Sequence, residues 1–208
     1  MKMILKLIPV IILIGCNASI NESFYLDDGE TKKGDVLCIN GNIIIGDDCS
    51  VIGGCKAVNG SVKIGKNSTV KNIQSVNGPI SIENNSTIKG NITAVNGEIQ
   101  TDDSVSILGD VNSVNGNIIL VNTKVAKNVE TENGDITIIG SSVVEQNILI
   151  KGKHKWSDDK RHVEIRLEKG AQVLGNIEAE DERISVTIFL SSDSKILGDV
   201  VNAEIVYE

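Results

Sequence analysis

The residues with the widest chemical reach gather in one charged stretch, 151–162. It holds Lys153, His154, Lys155, Trp156, Asp158, Asp159, Lys160, Arg161 and His162, which include the chain's single tryptophan and both of its histidines. His154, Asp158 and His162 could offer imidazole and carboxylate ligands to a metal ion, and Trp156 among cations could stack on a sugar ring. The spacing follows no metal signature, and a charged hairpin projecting from a larger body, with Trp156 covering an exposed edge, accounts for the same residues. The projecting hairpin is therefore the favoured expectation, a contact loop built on His154, Trp156 and His162 is the alternative, and no metal or cofactor is expected. Elsewhere Asp47-Asp48 and Asp102-Asp103 form carboxylate pairs that could do acid-base work, although turn solvation explains them more simply. No Ser-His-Asp or Cys-His set can be assembled, so no catalytic residue is expected.

The N-terminus carries an address. Lys2 and Lys6 precede or interrupt an apolar run over 4–14, which falls short of the roughly 20 residues that span a bilayer. The run ends in Leu13-Ile14-Gly15-Cys16, which resembles the bacterial lipoprotein box. That resemblance implies cleavage before Cys16, a diacylglyceryl group on its sulfur and usually a further acyl chain on its nitrogen. Acyl chains burying ~0.8 kcal/mol per CH₂ make such anchoring durable once two or more are present. Asn17 stands where the family's inner-membrane retention signal has Asp, which implies the outer membrane in a Gram-negative envelope. An ordinary secretory signal with a chance cysteine is the alternative. Loss of Lys2 and Lys6 would move the formal charge from −8 to −10, which disfavours nucleic acid and anionic lipid as partners.

The elements that must position these residues are legible from a repeat. Ile39-Asn40-Gly41, Val58-Asn59-Gly60, Val76-Asn77-Gly78, Val95-Asn96-Gly97, Val114-Asn115-Gly116 and Glu132-Asn133-Gly134 recur at intervals of 19, 18, 19, 19 and 18. Between them, aliphatics two apart such as Ile80 and Ile82 follow the strand period, and polar turns such as Asn84-Asn85-Ser86 separate them. A second consensus, in Ile88-Lys89-Gly90-Asn91-Ile92, Ile107-Leu108-Gly109-Asp110-Val111, Val173-Leu174-Gly175-Asn176-Ile177 and Ile196-Leu197-Gly198-Asp199-Val200, carries the repeat past the last Asn-Gly. Only 2% of the chain is aromatic against 40% hydrophobic, so the core must be aliphatic.

A unit this short cannot bury its own apolar side, because ordering each residue costs ~1–2 kcal/mol and each buried aliphatic returns ~1.5–3 kcal/mol. Stacked coils solve this. The expected fold is all-β: a single-domain parallel β-solenoid of about eight coils, with a signal over 1–15, a lipidated tether over 16–33 and the solenoid over 34–208, interrupted at 151–162. The preference for right-handed crossovers favours a right-handed helix, while aliphatics six apart from Val58 to Ile88 are similar to the left-handed hexapeptide helix of acyltransferases. The Asn column is expected to form an amide ladder, with each following Gly supplying positive φ at a tight turn. Cys38, Ala57, Ser75, Ala94, Ser113 and Thr131 make a column of small residues beside it. Cys49 and Cys55 both read as inward; they form either a disulfide within one coil, as export permits, or buried reduced thiols.

The strand-plus-Gly-Asp/Asn consensus resembles the bactofilins, polymer-forming bacterial cytoskeletal proteins with a small right-handed β-helix core, from which the lipobox is a departure. Val-Asn-Gly coils behind a lipobox are similar to bacterial putative-adhesin lipoproteins with β-helical heads. These resemblances imply a non-enzymatic cell-envelope lipoprotein: a rigid module for display, adhesion or scaffolding that meets a glycan or protein through outward residues such as Lys63, Lys89, Glu98 and Asn117. A bactofilin-like polymer joined through the solenoid ends is one alternative. A polysaccharide-active enzyme, by resemblance to β-helix lyases with acidic, calcium-binding clusters, is another.

Overall fold

The computed structural model describes residues 12–14, 17–152 and 161–208. They form three ten-stranded parallel sheets, each turn of the chain giving one short strand to each sheet. The first sheet runs from Ile12–Ile14 and Thr31–Lys33 through Ser50–Val51 to Lys195–Ile196. The second runs from Asn17–Ile20 and Val36–Ile39 to Val200–Val201. The third runs from Phe24–Leu26 and Ile43–Ile45 to Glu204–Tyr207. The chain is thus a single parallel β-solenoid.

Alternation within each strand decides what the interior contains. In Ile80–Ile82, for example, the two isoleucines are buried and Ser81 faces outward. The register then stacks like on like: Val62, Ile80, Ile99, Ile118 and Ile136 pair in sequence along the third sheet. Val51, Val70, Ile88, Ile107, Val125, Val144 and Val173 do the same in the first. β-branched residues suit this geometry because their stiff side chains pack on identical neighbours with little rotamer loss. The result is one continuous aliphatic core running the length of the stack.

Ten turns replace the eight expected. Phe24 pairs with Ile43, Leu26 with Ile45 and Thr31 with Ser50, so the segment taken as a tether is the first turn of the solenoid. Lys32 disguises that turn in the sequence, because it occupies the inward position of Val51 and is fully buried. Its Nζ donates to the Lys33 carbonyl at 3.1 Å. At the other end, Val200–Val201 and Glu204–Tyr207 complete the last turn.

After the insertion the third sheet widens. Its strands lengthen to seven residues in His162–Glu168 and six in Ser185–Leu190, which lengthens the interval from Gly175 to Gly198 to 23 residues. On this broader face the Arg166 guanidinium lies 4.1 Å from the centroid of the Phe189 ring and 3.0 Å from the Glu164 carboxylate.

Candidate functional site

The corner between the second and third sheets carries the Asn-Gly repeat. Each asparagine Nδ2 donates to the Oδ1 of the asparagine one turn earlier: Asn40 to Asn21 at 2.9 Å, Asn59 to Asn40 at 2.7 Å and Asn77 to Asn59 at 2.7 Å. The line continues from Asn96 to Asn77 at 2.8 Å, Asn115 to Asn96 at 2.7 Å and Asn133 to Asn115 at 2.7 Å. A carboxamide suits this because it is donor and acceptor at once and therefore bonds to its own copy. The last acceptor, Asn133 Oδ1, is capped by Arg161, whose Nη1 lies 2.9 Å away while Nη2 donates to the Lys151 carbonyl at 2.8 Å. The insertion thus enters where the next Asn-Gly would fall, and its final residues close the ladder.

The glycines of this corner do not supply positive φ. In the ladder only Asn21 and Asn40 are left-handed, at φ 60° and 58°, and Gly41, Gly60, Gly78, Gly97, Gly116 and Gly134 are all outside that region. Close approach explains them instead: a Cβ on Gly97 would collide with the Gly78 carbonyl, and one on Gly60, Gly78, Gly116 or Gly134 would meet the glycine beneath it in the same way. A Cβ on Gly41 would strike the Glu22 carbonyl. The buried hydroxyl column braces the bend, with Ser113 Oγ donating to the Gly116 carbonyl at 2.6 Å and Thr131 Oγ1 to the Gly134 carbonyl at 3.0 Å. Left-handed backbone lies at the corner between the third and first sheets, at Asp48, Asn67, Asn85, Ser104 and Asn122, with φ of 57°, 54°, 61°, 60° and 43°. Asn and Asp tolerate that region because their short polar side chains relieve it locally.

Cys49 and Cys55 are not joined; Cys38, Cys49 and Cys55 are all free and buried. Facing inward does not place two residues in one column. Cys49 stands at the corner beside Ser68, whose Oγ accepts its N–H at 2.9 Å, and its Sγ lies 3.0 Å from the Asp27 carbonyl. Cys55 lies in the second sheet, between Val36 and Ile73. Burial pushes the Cys55 thiol up to about 12, helped by Cys38 and Asp35 nearby.

Gly15, Cys16, His154 and Trp156 lie outside the described residues, and the backbone of Leu13 and Ile14 pairs with Lys32 and Lys33. His162 opens its strand, exposed, with Nδ1 3.3 Å from Ser185 Oγ and Nε2 3.8 Å from the Glu164 carboxylate. Among the described residues no group of three or more His, Cys, Asp or Glu side chains could hold a metal ion. Asp47 Oδ1 accepts the Lys66 N–H at 2.8 Å, so this acidic pair is engaged in turn-to-turn bonding. Of the outward residues, Lys63 pairs with Glu83 at 2.8 Å and Asn117 Oδ1 accepts the Asp135 N–H at 3.0 Å.

The second consensus builds another ladder along the corner between the first and second sheets. Its Asn or Asp Oδ1 accepts the backbone N–H one turn on: Asn72 from Asn91 at 2.9 Å, Asn91 from Asp110 at 3.0 Å and Asp110 from Asn128 at 3.2 Å. Asn128, Asn147 and Asn176 continue it to Asp199. Near its start, Asp35 accepts from Gly54 at 2.7 Å, and Gly54 then has no side chain to offer Asn72. Beside this gap lies an open groove of about 590 Å³, lined by residues that include Asp35, Gly54, Lys56, Lys71, Asn72 and Gln74. Aligning Ile52-Gly53-Gly54-Cys55 with Lys89-Gly90-Asn91-Ile92 would have revealed the missing rung.

No family model, curated protein or solved structure matches the chain.

Proposed function

We propose that the protein is a non-enzymatic, lipid-anchored module of the bacterial cell envelope, a stiff solenoid that holds an outward surface away from the membrane. The observation that carries this reading is the use of the repeated polar residues: the Asn and Asn/Asp columns bond from turn to turn and the hydroxyls brace the bend within each turn, which makes them architecture. The lipobox supplies the anchor. Asn17 opens the first strand of the second sheet, so a lipid on Cys16 would sit directly at the base of the solenoid with no spacer. Cleavage there would remove Ile12–Ile14 and leave Thr31–Lys33 as an edge whose inward Lys32 opposes further strand addition.

Partition of the full chain, expressed in bacteria, between detergent and water tests the anchor. The wild type is expected in the detergent phase and Cys16→Ser in the aqueous phase; a wild type that enters the aqueous phase overturns the reading. Turnover of an acidic or neutral polysaccharide, with or without calcium, would overturn the non-enzymatic part.

A second reading, self-association through the C-terminal end, is favoured by the exposed apolar side chains there. Leu197, Val201, Val206 and Tyr207 are solvent-exposed on the last turn, beside half-buried Ile196, Val200 and Ile205. Sedimentation is expected to detect concentration-dependent assembly that Val206→Lys abolishes, and a monomer at every concentration removes this reading.

A further inference from the structure

We infer that the groove beside Gly54 binds a segment of an acidic polysaccharide. This goes beyond the display reading by naming the ligand class, and it rests on that reading only for the place where ligand and protein meet.

The first observation is the glycine itself. Most of the other glycines in this solenoid have a visible reason: left-handed φ, or a carbonyl or side chain that a Cβ would strike. Gly54 has neither, since its φ is ordinary and a Cβ there would meet nothing closer than 3.5 Å. Asn or Asp fills this rung on the following turns and would fit here, continuing the ladder by accepting the Asn72 N–H. Its absence opens the notch in the wall of the groove.

The second observation is charge. Lys56 and Lys71 line the groove, and Lys89 follows Lys71 in the same column because Val70 and Ile88, which precede them, are paired. Among the described residues none of these three lysines forms a salt bridge, although the chain as a whole carries −8. Exposed like charges on neighbouring turns repel one another, and an anion bound between them relieves that repulsion.

The remaining lining sets the rest of the ligand. The groove crosses four successive turns, at Asp35, Gly54, Asn72 and Asn91, a run of about 15 Å at the usual strand spacing. Asn72, Gln74, Asn91 and Thr93 present amides and a hydroxyl, and Asp35 has a second carboxylate oxygen to accept from a sugar hydroxyl. Only Val36 and Leu37, besides Cys55, are apolar, and no aromatic ring lines the groove to hold a base or a peptide side chain. An extended chain bearing hydroxyls and carboxylates fits this surface.

The test is titration of the full chain, in detergent, with short oligogalacturonates, with neutral cello-oligosaccharides of equal length, with an oligo-aspartate peptide of equal charge and with inorganic phosphate. Oligogalacturonate is expected to bind and to weaken as salt is raised; the other three are expected to bind at least about tenfold more weakly. Gly54→Asn is expected to melt at or above the wild-type temperature while losing at least about tenfold in affinity, because the added side chain fills the notch. Lys71→Gln is expected to weaken binding comparably and to flatten its salt dependence. Wild-type affinity in a folded Gly54→Asn variant overturns the inference, as does absence of oligogalacturonate binding. Phosphate or the peptide binding as tightly as oligogalacturonate overturns the carbohydrate assignment. Because these titrations do not depend on Cys16, a failed anchor and a failed groove give different results.

Discussion

Each asparagine within the ladder gives one amide hydrogen bond and takes another, so its removal breaks two contacts between three turns. Asn96→Ala is expected to lower stability by about 1–2 kcal/mol in urea denaturation, with no loss of the fold; no change would show the exposed ladder to be decorative. Gly97 works by a different cause. Gly97→Val forces a side chain into the Gly78 carbonyl and is expected to cost roughly 1–3 kcal/mol or more. Cys55 gives the pH dependence. Its thiol has 9.0 as the ordinary value and about 12 in the fold, so the unfolded chain loses the proton first as pH rises. The thiol's contribution is complete below 9.0 and is lost progressively up to about 12. The difference in melting temperature between wild type and Cys55→Val should therefore shift against the wild type across that window and stay flat below it. The inward position of both cysteines was legible from the aliphatic spacing. Their separation into different columns was not, because the alternation of a strand gives a direction and says nothing about distance across the interior.

At the scale of the element, a strand of two to four residues holds only because its neighbours repeat it, and the corners between strands carry the backbone's cost. The corner between the third and first sheets takes the left-handed conformation at Asn85, φ 61°. Asn85→Val is expected to destabilise by about 1–3 kcal/mol and Asn85→Gly to be nearly neutral, read from denaturation midpoints. Equal effects would place the strain elsewhere. The repeat interval and the Asn column could be read directly, since six consecutive turns, from Asn40 to Asn133, spell them again. The first turn could have been read too: Asn21 stands 19 residues before Asn40, and Phe24 and Leu26 alternate as Ile43 and Ile45 do. What hid it were Glu22 where glycine follows the other asparagines and Lys32 in an aliphatic column. The positive φ expected of the glycines in the Asn-Gly corner is absent from them, because glycine answers two needs, conformational freedom and close approach, and sequence alone does not distinguish them.

For the whole molecule, the stack behaves as a line of similar units held by their neighbours. Removing residues 79–97 deletes one turn and brings Asn115 onto Asn77 in register, so the shortened chain is expected to fold cooperatively with a denaturant slope about one tenth smaller. Collapse of the fold would contradict nearest-neighbour stacking. The proposed envelope role asks of such a body only a fixed base and a surface held outward. The base is the claim on which the functional account turns. Mass spectrometry of the N-terminal peptide from the full chain, recovered from bacterial membranes, measures it directly. The account expects a peptide that begins at Cys16 and carries a diacylglyceryl group on the sulfur. A peptide that begins at Met1, or at Cys16 with an unmodified thiol, would contradict it.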